Sequence, residues 1–154
     1  MKYSQILERI APCGLSCEKC FAFRDGDIRK YSRQLSEGLG DFGSYAQRFA
    51  GLLEEPVFNI YPYFKLQLEY FSQVSCAGCR KEHCKMFKSC KVRKCIEEKG
   101  VDFCFQCDKF PCRNTGFDES LETRWKKNNV RMKEVGVETY YEETKKIHRY
   151  RQIK

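Results

Sequence analysis

Eleven cysteines stand in this chain in four groups: Cys13, Cys17 and Cys20; Cys76 and Cys79; Cys84, Cys90 and Cys95; and Cys104, Cys107 and Cys112. A thiolate is a soft donor, and a Cys-x-x-Cys pair turns two sulfurs toward one point, half of the tetrahedral set that zinc takes. Three such pairs occur, Cys17/Cys20, Cys76/Cys79 and Cys104/Cys107, and each needs a partner pair from elsewhere in the chain. Cys90/Cys95, Cys112, Cys84 and Cys13 are the candidates. The cysteines suffice for two complete four-ligand sites, or for three if His83 joins as a twelfth ligand. The expected cofactor is Zn²⁺, with a [4Fe–4S] cluster as the alternative. Disulfides fit less well, because an odd number of thiols leaves one over and a reducing compartment would not keep the rest paired.

Cys13-x3-Cys17-x2-Cys20 is also the spacing on which radical S-adenosylmethionine enzymes hold a [4Fe–4S] cluster. Those enzymes build α/β barrels that want on the order of 200 residues, and this chain shows no alternation of strand and helix patterns. Its aromatic Phe21 follows the last cysteine, whereas Lys19 stands where that family carries an aromatic. A reactive thiolate is the other redox option: Cys13, between Pro12 and Gly14, could stand exposed at a helix start with a lowered pKa. A nucleophile normally works beside a histidine, and the chain has only His83, in a Lys-rich loop, and His148, in a basic tail. No paired carboxylates, GxSxG, Walker A, GxGxxG or HExxH motif is present, so hydrolase, NTPase and dehydrogenase chemistry has no residues to stand on. The balance is against an enzyme.

The elements that must position these thiols are helical. Ile28, Tyr31, Leu35 and Leu39 recur at three- and four-residue spacing after Asp27, which reads as an N-cap. Phe42, Tyr45, Phe49 and Leu52 repeat the pattern up to Pro56. Tyr61 to Val74 carries Phe64, Leu68 and Phe71 beside Tyr63, Gln67 and Tyr70, a wide aromatic stripe expected to be core. Leu121, Trp125, Met132 and Val135 mark a helix that Gly136 closes, and a last helix over about 138–148 is predicted to bury Tyr141, Thr144 and Ile147. Gly78, Gly100 and Gly116 are placed for turns of positive φ. The predicted fold is one mainly α-helical domain over residues 1–154, with few or no strands and Cys-rich loops folded against a helical body.

The chain has 154 residues, 42% of them hydrophobic when cysteine is counted, with 12 Phe, 9 Tyr and one Trp. Removing the thiols leaves about 35% to build a core, so metal binding is expected to contribute to folding. Residues 1–75 carry nine basic and nine acidic side chains, and the whole +8 excess lies in the second half. Residues 80–99 hold eight basic and three acidic side chains interleaved with cysteine. Such a patch suits an acidic protein or nucleic acid, although cations near a zinc–thiolate centre also offset its charge and donate hydrogen bonds to sulfur. The second explanation is preferred, because no aromatic single-strand platform or reading helix accompanies the patch. The basic tail, including Arg151 and Lys154, reads as the wet face of two amphipathic helices. No run approaches the ~20 apolar residues of a spanning helix, and the first ten residues, with Lys2, Glu8 and Arg9, lack a signal-peptide core. A cytoplasmic protein with no membrane association is expected.

Several segments carry a resemblance: Ile10-Ala11-Pro12-Cys13-Gly14-Leu15-Ser16-Cys17-Glu18-Lys19-Cys20, Cys76-Ala77-Gly78-Cys79-Arg80, Cys90-Lys91-Val92-Arg93-Lys94-Cys95 and Lys99-Gly100-Val101-Asp102-Phe103-Cys104-Phe105-Gln106-Cys107-Asp108-Lys109-Phe110-Pro111-Cys112. In content and order they resemble the Cys-rich bacterial and archaeal proteins classed as domain of unknown function 3795. The resemblance implies a small cytosolic protein that binds zinc and has no established activity. Carried over by position, it marks Cys13, Cys17, Cys20, Cys76, Cys79, Cys90, Cys95, Cys104, Cys107 and Cys112 as metal ligands, and leaves Cys84 and His83 outside the pattern. Ten does not divide into fours, so two of these would be free thiols or groups behind the ligands. The function expected from sequence is zinc binding in structural four-cysteine sites, with a binding or adaptor role through the basic second half.

Overall fold

A computed structural model describes residues 1–150. Arg151 and Lys154, expected on the wet face of the C-terminal helices, lie outside the described residues. The helices are α1 (Tyr3–Arg9), α2 (Asp27–Leu39), α3 (Gly43–Leu52), α4 (Tyr61–Ser72), α5 (Val92–Lys99), α6 (Glu119–Val135) and α7 (Val137–Lys145). Short 3-10 turns cover Pro56–Ile60 and Cys104–Gln106. Among the described residues no strand forms, and a single antiparallel bridge joins Ile10 to Ser16. The fold is mainly α, as the helical periodicities require.

Contacts gather the chain into two compact units, one from Met1–Cys20 together with the chain from Cys76 onward, the other from Phe21–Ser75. All eleven cysteines belong to the first. Its core is built by α1, α6, α7 and the Cys104–Gln106 turn, which bury Ile6, Ile10, Phe103, Met132, Val137, Tyr140 and Tyr141 together. Helix α6 starts where the Asp118 side chain accepts the Leu121 N–H at 2.8 Å, and it stops at Gly136, whose φ of +82° a glycine adopts without penalty. Between those signals Leu121, Trp125, Asn129 and Met132 form its buried stripe. Helix α7 buries Tyr141 and Thr144 as expected, and Tyr140 with them. It ends at Lys145, before Ile147, which is exposed at 37% instead of buried. Helix α5 forms within a stretch read as Cys-rich loop. Arg93–Glu97 and Lys94–Glu98 pair one turn apart on its surface, and Gly100 closes it at φ +63°.

In the second unit α2 packs on α4, and α3 packs on the Pro56–Ile60 turn. Gly26, not Asp27, is the N-cap of α2; Asp27 is the first residue of the helix, where a carboxylate still favours the helix dipole. Phe42 makes an edge contact with Tyr61 at 5.1 Å and touches Phe49 and Phe58. The aromatic stripe of α4 departs from expectation. Tyr61 and Leu68 are buried and Phe71 is half-buried, but Phe64, Tyr70 and Tyr63 are exposed at 42%, 60% and 76%. Tyr31 and Leu35 of α2 are exposed as well. Three short helices have too little surface to enclose every apolar side chain their sequences carry.

Candidate metal centre

The N-terminal cysteine loop is clamped by main-chain and side-chain bonds to the C-terminal helices. Its turn at Gly14 has φ +84°, and a Cβ there would lie 2.8 Å from Asn128 Cβ and 3.0 Å from Met132 Cε. Asn128 Nδ2 donates to Gly14 O at 3.3 Å, Tyr140 OH to the same oxygen at 2.6 Å, and Asn129 Nδ2 to Cys13 O at 3.0 Å. Lys19 Nζ donates to the carbonyls of Thr144, Lys145 and Ile147 at 2.9, 2.6 and 2.8 Å, so one cation satisfies the C-terminal end of α7. The Cys104 N–H donates to Pro12 O at 3.3 Å, which joins the first and last cysteine loops. Cys13, Cys17 and Cys20 are all buried.

A first group of thiols interacts around Cys79, which Cys17 and Cys84 hold far up. The same interaction brings Cys17 down to about 7 and Cys84 down to about 5, so the three titrate as a unit. Burial pushes Cys13 up to about 12, and it feels Cys17 and Cys90. A buried thiol held protonated is the opposite of the exposed, activated Cys13 that the sequence allowed. Burial also raises Cys76, which feels Cys17, and Cys90, which feels Cys84. Cys20 Sγ lies 3.4 Å from Met86 Sδ and accepts from Tyr150 OH at 3.8 Å. The Gly78 N–H donates to Cys76 Sγ at 3.4 Å, and main-chain N–H groups two or three residues on also pull Cys13, Cys84 and Cys90 downward. Arg149 donates to Ser16 O beside this group. Burial works against its charge, but Cys20, Tyr150, Cys13 and Cys17 outweigh that and keep it protonated.

The second group is Cys95 on α5 with Cys104, Cys107 and Cys112. Burial raises Cys95, which then feels Cys112 and Cys107. Burial pushes Cys104 up to about 11, Trp125 pulls it down, and Cys112, Cys95 and Cys90 push it up further. Cys107 Sγ donates to Asp108 Oδ1 at 3.4 Å, which lowers that carboxyl. Electrostatically Cys13, Cys17, Cys76 and Cys79 act on one another, and so do Cys95, Cys104, Cys107 and Cys112, while Cys90 acts on both Cys13 and Cys104. All eleven are free thiols. Among the described residues no set of three or more Cys, His, Asp or Glu side chains is drawn closely enough together to hold a metal ion.

Two buried side-chain N–H donors lack a hydrogen-bond partner among the described residues, Arg80 Nη2 and Trp125 Nε1. Arg80 Nε donates to Leu7 O at 2.8 Å and its guanidinium lies 4.8 Å from the Phe103 ring centre, within the field of Asp102 and Tyr3 and, after them, of Cys17 and Cys13. Trp125 Nε1 makes no bond of normal geometry, yet its N–H lowers the Cys104 thiol; a loose approach to that sulfur satisfies both observations. Sequence reading placed Arg80 in a basic patch whose cations were expected to offset thiolate charge and donate to sulfur, and Trp125 in a helix core. The usable signal for Arg80 was its position directly after Cys79. His83 is exposed, with Nε2 3.0 Å from Lys88 O, where it donates.

A family model described as "Protein of unknown function (DUF3795)" matches residues 9–116. The chain belongs to the DUF3795 family. The matched span takes in every cysteine of this DUF3795 protein and ends before α6 and α7, the helices that clamp the cysteine loops. No curated protein and no solved structure matches the chain. No helix among the described residues is long and apolar enough to cross a membrane.

Proposed function

We propose that this DUF3795 protein is a metal-binding protein whose two sulfur groups each hold one Zn²⁺ as a structural centre. The supporting observation is that two buried donors make no hydrogen bond of normal geometry, Trp125 Nε1, which acts on Cys104, and Arg80 Nη2, on a guanidinium that also feels Cys17 and Cys13. A buried N–H without an acceptor costs about 1–3 kcal/mol. A thiolate bound to metal accepts such bonds, and donors of this kind around the ligands set their charge and orientation. The donor set also fits: it is all sulfur, several members receive main-chain N–H bonds, and the guanidinium groups of Arg80 and Arg149 offset thiolate charge.

Cys95, Cys104, Cys107 and Cys112 would hold the second ion; the first would draw on Cys13, Cys17, Cys20, Cys76, Cys79 and Cys90. A closed four-thiolate zinc site supplies cross-linking rather than a catalytic position. The chain's own residues do the rest: Asn129, Tyr140 and Lys19 fix the N-terminal loop on α6 and α7, and Arg80 pins the Cys76–Cys79 turn to α1. The biological role that follows is binding, to an acidic protein or nucleic acid. Lys88, Lys91, Arg113, Lys127 and Lys133 are exposed and form no ion pair among the described residues, which leaves their charge for such a partner.

Elemental analysis of protein purified without oxygen, read beside its visible spectrum, tests the reading. The expected result is two zinc equivalents and no colour. Iron with sulfide and a brown colour would replace zinc by an iron–sulfur cluster, and protein that takes up no metal would refute the proposal.

A further inference from the structure

We infer that two copies of this chain pair through an apolar ridge on the Phe21–Ser75 unit, face to face about a two-fold axis at Tyr63, whatever metal the cysteines hold. Val57, Ile60, Tyr63, Leu66 and Tyr70 follow one another at spacings of three, three, three and four residues. A 3-10 turn brings every third side chain onto one line, and an α-helix every third or fourth. The Pro56–Ile60 turn therefore hands its line directly to α4. All five side chains are exposed, at 58%, 58%, 76%, 63% and 60% in that order, Tyr70 even though its ring meets Phe21 and Phe71. The buried face of α4 is a different one, set by Tyr61 and Leu68. The helix thus carries two apolar faces, one packed within its unit and one in water.

The ridge fits its own copy. With rises of about 1.5 Å per residue in an α-helix and about 2.0 Å in a 3-10 turn, Ile60 and Leu66 stand about 5 Å on either side of Tyr63, and Val57 and Tyr70 about 10 Å. An antiparallel copy sets Val57 against Tyr70 and Ile60 against Leu66, twice over, which is the self-complementary pattern of a two-fold contact. At about 150–250 Å² for a large side chain, the five exposures offer roughly 500–800 Å², close to the ~800 Å² that each partner contributes to a stable pair. Charge points the same way. Between Pro56 and Gln73 the only charged residues are Lys65 and Glu69, which pair with each other at 4.0 Å, and interface cores are depleted of charge. Residues 21–75 carry six basic and seven acidic side chains, against 23 and 14 in the rest of the chain. Two copies therefore meet through this unit without the repulsion that the strongly basic remainder would impose.

Full-length protein, kept reduced so that its free thiols cannot join copies, is followed by sedimentation from about 1 to about 100 µM, since interfaces of this size bind at micromolar or tighter. Wild type should pass from monomer to dimer. Tyr63→Glu sets two carboxylates against each other at the axis and should raise the dissociation constant by about 100-fold or more. Tyr45→Glu, on α3 and 54% exposed but off the ridge, should match wild type. In dilute, unpaired protein Tyr63 lies in water, so its substitution leaves the fold and the helical circular dichroism unchanged. Photo-crosslinking gives a second readout: p-benzoylphenylalanine in place of Tyr63 should join two copies, with the adduct within residues 57–70 of the second. Wild type that stays monomeric throughout, a dimer that Tyr63→Glu leaves intact, or adducts that fall outside the ridge each overturn the pairing, and none of them touches the metal-binding reading.

Discussion

Asn129 sits on α6 with no exposed surface and spends its amide on three segments at once. Nδ2 donates to Cys13 O and Trp125 O, each at 3.0 Å, and Oδ1 accepts the Phe105 N–H at 3.0 Å. One side chain thereby ties the loop of the first sulfur group and the loop of the second to the same helix. Asn129→Ala leaves the Cys13 carbonyl and the Phe105 N–H without these partners, at about 1–3 kcal/mol each, with the half-buried Phe105 near the lower end. The small cavity adds to that, for a total of about 2–5 kcal/mol. With a urea slope of about 2 kcal/mol/M, the unfolding midpoint should fall by about 1–2.5 M. Trp125 is the single tryptophan and lies in the same buried stripe, so its fluorescence reports this unit. Asn129→Asp has the same size and keeps the acceptor for Phe105, but sets a carboxylate oxygen against two carbonyls; it should cost at least as much as alanine. An alanine shift below about 0.5 M, or an aspartate variant milder than alanine, would refute the hydrogen-bonding account.

Trp125→Phe keeps the ring that meets Phe110 at 5.1 Å but removes the N–H. It should weaken zinc at the second centre by about 10-fold in chelator competition and leave the first unchanged; equal affinities would show that the indole N–H plays no part. Gly100 and Gly116 both have positive φ, but a Cβ at Gly100 meets nothing whereas one at Gly116 runs into Ser89 O and lies 2.9 Å from Ser89 C. Gly100→Ala should cost about 1 kcal/mol and Gly116→Ala at least about 3 kcal/mol, and similar losses in denaturant titrations would contradict the contact. Leu68→Ala should cost about 2–4 kcal/mol, while Tyr63→Ala should stay within about 0.5 kcal/mol, since the first is buried and the second 76% exposed; thermal melts that rank them the other way would overturn the corrected reading of α4. Chelation should speed amide exchange in α5 and the Cys104–Gln106 turn and spare α2 and α4, whose unit holds no cysteine. An exchange map unchanged by chelation would argue against structural metals.

The elements were legible in the sequence wherever their signals are local. Gly136 closes α6, the spacing of Leu121, Trp125 and Met132 gives its buried face, and Gly78, Gly100 and Gly116 take the positive φ expected of them. Such signals act within about four residues along the chain, the reach of a helical turn or a cap. The cysteine spacing likewise supplied the donor type and the half-sites.

How the half-sites combine lies beyond that reach. Cys17 meets Cys79 and Cys84 because Asn129, more than a hundred residues from Cys13, holds the N-terminal loop on α6, and because Lys19 binds the end of α7. Cys95, carried on α5, comes under the influence of Cys112 and Cys107, which follow it by a dozen residues or more. Arg149, read in sequence as part of a solvated basic tail, is drawn in beside Cys20, Cys13 and Cys17 by the same packing. Sequence by itself determined a helical, thiol-rich chain and which atoms could bind a metal. Tertiary structure alone decided which thiols act on one another, because that is set by closure between segments brought together by core burial and buried hydrogen bonds, neither of which leaves a mark in the local pattern of residues.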